Sequence, residues 1–121
     1  MNNIEWEFYR GDTFEKLINI SGWDKEITQM YFTMKKEEKD KDIVLQKKLG
    51  DGIVKTSNDE VESYLLTINA TDTDELLTDH GYVFDIEIVS GTIKKTIVKG
   101  TVTLTTDITQ TINEVTEWYK I

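Results

Sequence analysis

The decapeptide DHGYVFDIEI, residues 79–88, gathers the only histidine of the chain, His80, with Asp79, Asp85, Glu87 and Tyr82. An imidazole beside carboxylates is the raw material of general acid–base catalysis or metal ligation, provided a nucleophile or further ligands stand nearby. The other residues supply no recognisable partner. There is no GxSxG, no HExxH, no Gly-rich phosphate loop and no second histidine. His80 is therefore expected to be solvent-exposed and idle. Asp72, Asp74, Glu75 and Asp79 lie close together and carry the oxygen ligands that Ca²⁺ prefers, but their spacing does not match an EF-hand loop. The tripeptide RGD at 10–12 has the form of an integrin ligand, a role that requires a protruding loop on an exported protein. The simpler reading is a bend at Gly11, with Asp12 and Thr13 bonding the turn backbone.

These residues must be held by extended chain. Thr, Ile and Val make up 39 of the 121 residues, and their stiff, branched side chains suit a pleated surface better than a helix. Ile4, Trp6 and Phe8 alternate with Glu5, Glu7 and Tyr9, which describes a first strand. Phe14, Ile18 and Ile20 continue as a second, and Met30, Phe32 and Met34 mark a third with Tyr31 on its other face. A short strand follows at 43–48, expected at a sheet edge, then a Gly-Asp-Gly turn of hairpin type. Tyr64, Leu66, Ile68 and Ala70 share one face of the next strand. Asp72 with Glu75 fits a capping box and one helical turn. Tyr82, Phe84, Ile86 and Ile88 then alternate along a sixth strand, and Thr92–Leu104 forms a long last one. Apolar residues in that last strand change parity, so a one-residue bulge near Lys99-Gly100 is expected.

This pattern predicts an all-β fold, an immunoglobulin-like β-sandwich of about seven to eight antiparallel strands with one short helical turn before the sixth. Strands A-B-E-D would face C-F-G. In such a sandwich every residue of DHGYVF has a structural task. Tyr82 would bond its hydroxyl back to upstream backbone, and Phe84 would fill the core where antibody domains place a cysteine. Asp79 and Gly81 would make the turn, with glycine accepting positive φ. Asp85 and Glu87 would face solvent. Gly100 would tolerate the bulge. One domain is expected over 1–108, with a separate tail over 109–121.

The formal charge is −9, from 23 acidic and 14 basic residues. That argues against nucleic acid and anionic membrane surfaces, both of which need clustered Lys and Arg. KKEEKDKD at 35–42 is mixed in sign and reads as a solvated loop. The absence of cysteine excludes disulfides and thiolate metal sites. The N-terminus lacks a secretory pattern, and no apolar run approaches the roughly 20 residues of a membrane span. A soluble cytoplasmic product is the expectation.

RGDT (10–13), IVLQKKLGDGI (43–53) and TDTDELLTDHGYVFDIEIVSGTIKKTIVKGTVTLTTDIT (71–109) together resemble the immunoglobulin-like N-terminal domain of bacteriophage baseplate upper proteins and related phage tail proteins. The shared pattern is Asp72-Thr73, Leu76-Leu77, Gly81 to Ile86, Gly100, and Asp107-Ile108-Thr109. The resemblance implies a virion structural module, made in the bacterial cytoplasm, that joins one tail or baseplate component to another. It implies no catalytic residue, cofactor or metal. Expected partners are other tail proteins or further copies of the chain. In TQTINEVTEWYKI (109–121), Ile112, Val115 and Trp118 fall at helix-like spacing, with Tyr119 and Ile121 adding apolar area. That surface either docks back or meets a neighbouring subunit. The alternative class is a carbohydrate-binding sandwich, stacking sugars on Trp6, Trp23, Tyr31, Tyr64 or Trp118.

Overall fold

A repeat of two residues dictates most of the architecture. Along Gln29–Lys35 the buried side chains are Met30, Phe32 and Met34, because successive side chains of an extended chain point to opposite faces. The same alternation buries Tyr64, Leu66 and Ile68, and again Tyr82, Phe84, Ile86 and Ile88. The computed structural model describes residues 3–57 and 62–106. Its strands are β1 (Asn3–Tyr9), β2 (Phe14–Ile20), β3 (Gln29–Lys35), β4 (Leu45–Leu49), β5 (Gly52–Ser57), β6 (Glu62–Ile68), β7 (Gly81–Ser90) and β8 (Ile93–Thr105). A single helical turn, α1 (Ala70–Thr73), lies between β6 and β7.

The strands form one continuous mixed sheet in the order β1-β8-β7-β3-β4-β5-β6-β2. It folds over on itself, so that the two end strands meet through side chains. The rings of Trp6 on β1 and Phe14 on β2 are 5.6 Å apart, and Phe8 stacks on Phe14 at 4.2 Å. Trp6 also stacks on Phe84 at 4.3 Å, with Phe32 beside both. The fold is an all-β sandwich around this aromatic centre.

Four details depart from the sequence reading. First, β1 does not join β2. It runs parallel to β8, from Asn3↔Lys99 to Tyr9↔Thr105. The physical reason sits at Gly100, where any Cβ would overlap the carbonyl of Ile4 and crowd the Phe84 ring. Only glycine lets the two backbones approach there.

Second, β4 is not an edge. It lies between β3 and β5. The Gly50-Asp51 bend does not make an antiparallel hairpin either: Lys48↔Gly52 and Leu49↔Ile53 pair parallel as the chain passes between layers, with Gly50 and Gly52 at φ of 89° and 98°. Because Gly52–Ser57 is itself a strand, the helical turn precedes the seventh strand.

Third, the bulge in β8 falls at Ile97, between Ile86↔Val98 and Glu87↔Thr96. It brings Ile97 and Val98 both against the core, while Ile93 stays 44% exposed. Fourth, α1 starts directly from β6. Its capping contact is therefore the Asn69 amide donating to the Asp72 carboxylate at 2.7 Å, three residues earlier than the Asp72–Glu75 pair.

Candidate interaction surface

The decapeptide DHGYVFDIEI forms the corner that leads into β7 and the start of that strand. The Leu77 amide donates to the Tyr82 hydroxyl at 2.9 Å, and Tyr82 is buried. The Asp79 amide donates to the Leu104 carbonyl at 2.7 Å. The left-handed residue of the turn is Asp79, at φ 56°, rather than Gly81. Aspartate tolerates this region better than most residues because its short carboxylate bonds locally. His80 is half-buried, not exposed. Its ring meets that of Tyr82 edge-on at 4.9 Å, and its Nε2 is buried without a hydrogen-bond partner.

The RGDT loop is bound down on the same corner. Arg10 donates to the Leu76 carbonyl at 3.1 Å, and the Gly11 amide donates to the Thr73 hydroxyl at 2.8 Å. Gly11 holds φ 84°, and a Cβ on it would lie 3.2 Å from the Asp74 carboxylate. Thr73 is fully buried. Of the carboxylates considered as oxygen ligands for Ca²⁺, that of Asp72 is taken up by structural contacts. Asp72 caps α1 and pairs with Lys47, whose ammonium is 2.7 Å away. Among the described residues no cluster of three or more His, Cys, Asp or Glu side chains could hold a metal ion.

Lys47 is the feature the sequence reading missed. It stands opposite Phe32 on the inward-facing parity of β4, and its stem passes so close over Gly52 that a Cβ there would collide with it. The available signal was a lysine at an inward position of a strand, two residues from its end.

Of the aromatic candidates for sugar stacking, Trp6 and Tyr64 belong to the core. Tyr64 donates to Glu62 at 2.9 Å; burial, with this carboxylate beside it, pushes the phenol pKa well up. Trp23 donates its indole N–H to the Ser90 hydroxyl at 2.9 Å, and the ammoniums of Lys25 and Lys95 stand 4.9 and 5.9 Å from its ring. Tyr31 lies on the outer face of β3. Trp118, with Ile112, Val115 and Tyr119, is outside the described residues.

The outer face of β3, β7 and β8 is polar. A groove of about 300 Å³ is lined by Thr33, Lys35, Glu38, Val83, Asp85 and Lys99 among others. Lys99 bonds Glu38 and holds that carboxyl below its usual range. Burial pushes the Asp85 carboxyl up, and Glu87 adds to the shift while Lys35 and Lys99 oppose it. Asp85 and Glu87 are both half-buried, and not simply solvent-facing residues. Charges of both signs therefore line this groove. No protein-family model matches the chain, and neither does any curated protein sequence.

Proposed function

We propose that the chain is a non-enzymatic structural module of a bacteriophage or prophage tail or baseplate, acting by protein–protein contacts within the virion. One observation carries this reading. The motifs on which the phage resemblance rests are dispersed along the sequence, but among the described residues each touches another in space, most of them at the corner before β7. Asp107-Ile108-Thr109 lies outside the described residues. Arg10 and Gly11 of RGDT bond Leu76 and Thr73. Lys47 of IVLQKKLGDGI pairs with Asp72. Leu77 bonds Tyr82, and Gly100 lies under the Phe84 ring. A pattern whose separate parts touch one another in the fold reflects a shared fold-specific design better than chance matches would. The partners are other tail or baseplate components, met by the charged β3-β7-β8 face.

The test is capture of the proteins encoded beside this one by the full-length chain, with Lys35→Glu/Lys99→Glu as the face variant. The expected outcome is capture by the parent chain and loss in the variant under conditions where circular dichroism shows the variant folded. Failure of the parent chain to capture any of them removes the reading. Glycan-array binding that disappears on Trp23→Ala would replace it with the carbohydrate-binding alternative.

A further inference from the structure

Strand β2 bonds to β6 along its whole length, from Phe14↔Ile68 to Ile20↔Glu62. Among the described residues nothing pairs with its other side. An open edge is a template for another strand, and natural sheets usually blunt it. Here the midpoint of the seven-residue strand is Leu17, 51% exposed. Leu17 stands opposite Leu65, which stands opposite Val54, itself 60% exposed. An apolar row therefore crosses three strands on the solvent face and ends at the open edge. Polar pairs flank it: Thr67 with Glu15, and Ser63 donating to Asn19 at 2.7 Å.

We propose that β2 pairs antiparallel with β2 of a second copy, about a two-fold axis at Leu17. The strand is self-complementary in this register. Leu17 meets Leu17 of the second copy, Lys16 meets Ile18, Glu15 meets Asn19 and Phe14 meets Ile20. No like charges stand opposite each other, and Glu15 with Lys16 makes each strand locally neutral on a chain of net charge −9. The apolar row doubles to six residues across six strands. A slip of two residues one way would set Lys16 against Lys16, a destabilising like-charge pair, and a slip the other way would set Leu17 against Asn19 and break the apolar row, so the row is continuous only in this register. The Lys16 ammonium lies 5.9 Å from the centroid of the Trp6 ring, over the seam with β1, so the charge on the Leu17 face of β2 is that of Glu15, which meets the neutral Asn19 of the second copy. A two-fold contact of this kind closes on itself and stops at a dimer.

The test is sedimentation equilibrium on the full-length chain over a concentration series. The expected result is a reversible dimer. Leu17→Asp and Leu17→Lys should each weaken it by about tenfold or more, because each sets like charges face to face. An equimolar mixture of the two should recover the dimer, since Asp then faces Lys. Val54→Asp, at the far end of the row, should change the constant by less than about threefold on the same reasoning. Leu17→Thr, expected to weaken the dimer while keeping strand propensity, stands in for any variant that fails to fold. A parent chain that is monomeric throughout, a dimer indifferent to Leu17→Asp, or a mixture that stays monomeric overturns the pairing. The contact is independent of the tail-module reading: a monomer that still captured tail proteins would sink only the strand pairing.

Discussion

Lys47 on β4 and Asp72 in α1 form a half-hidden ion pair with Nζ and Oδ2 2.7 Å apart. The same carboxylate caps α1 through the Asn69 amide, so one side chain ties the bend between layers to the corner that leads into β7. Charges so far removed from water are costly to leave single.

Asp72→Ala is accordingly expected to cost ~3 kcal/mol, since it strips the cap and strands Lys47. Lys47→Met should cost less, because the methionine stem still covers Gly52. Lys47→Met with Asp72→Ala should cost less than the two single losses added together, because neither charge is then left alone. Urea unfolding of the four chains measures the coupling as a double-mutant cycle.

Tyr82 and Phe84 separate hydrogen bonding from cavity formation within one strand. Tyr82→Phe removes the acceptor of the Leu77 amide and is expected to cost about 1 kcal/mol. Phe84→Ala empties the centre of the stack formed with Trp6 and Phe32, at a cost of ~3–5 kcal/mol. Equal and negligible losses in chemical denaturation would contradict this placement.

Two glycines give opposite forecasts. Gly100→Ala puts a methyl into the Ile4 carbonyl and the Phe84 ring, and should cost about 2–3 kcal/mol or more by forcing β1 away. A Cβ at Gly81 meets nothing within 4 Å, and φ there is not positive. Gly81→Ala should stay within about 0.5 kcal/mol of the parent in thermal unfolding.

Asp85 sets an acid-side dependence whose sign follows from its raised pKa in the fold. The folded protein holds the proton more tightly than the unfolded chain. The contribution of this group to stability is therefore greatest below the ordinary carboxylate range, and declines as pH rises through it toward neutrality. Asp85→Asn should melt higher than the parent at pH 7, and the gap should close on acidification to about pH 3.

Tyr64 acts at the other end of the scale. Its phenol pKa is also raised, by burial first and then by Glu62. Its stabilising contribution is intact below the ordinary phenol value and lost as pH rises beyond about 10. Tyr64→Phe should lose stability less steeply than the parent between about pH 9 and 11, followed by circular dichroism.

Much of this was legible from alternation alone. Met30-Phe32-Met34, Tyr64-Leu66-Ile68 and Tyr82-Phe84-Ile86-Ile88 each state which face is buried, because a strand has only two faces and water rejects one set. The turn before β7 was also legible, through Asp79 and Gly81, though not which of the two turns left-handed.

Pairing was not legible. A strand written Ile-Glu-Trp-Glu-Phe buries Trp6 equally well beside β2 or beside β8. The choice rests on backbone approach at Gly100, a contact 96 residues away in the chain. The bulge at Ile97 and the Lys47–Asp72 pair have the same origin. Local sequence determines which side of each strand faces inward. Which strands become neighbours, and so which charges and open edges remain to meet a partner, is decided only when distant backbones compete for the same hydrogen bonds and the same space.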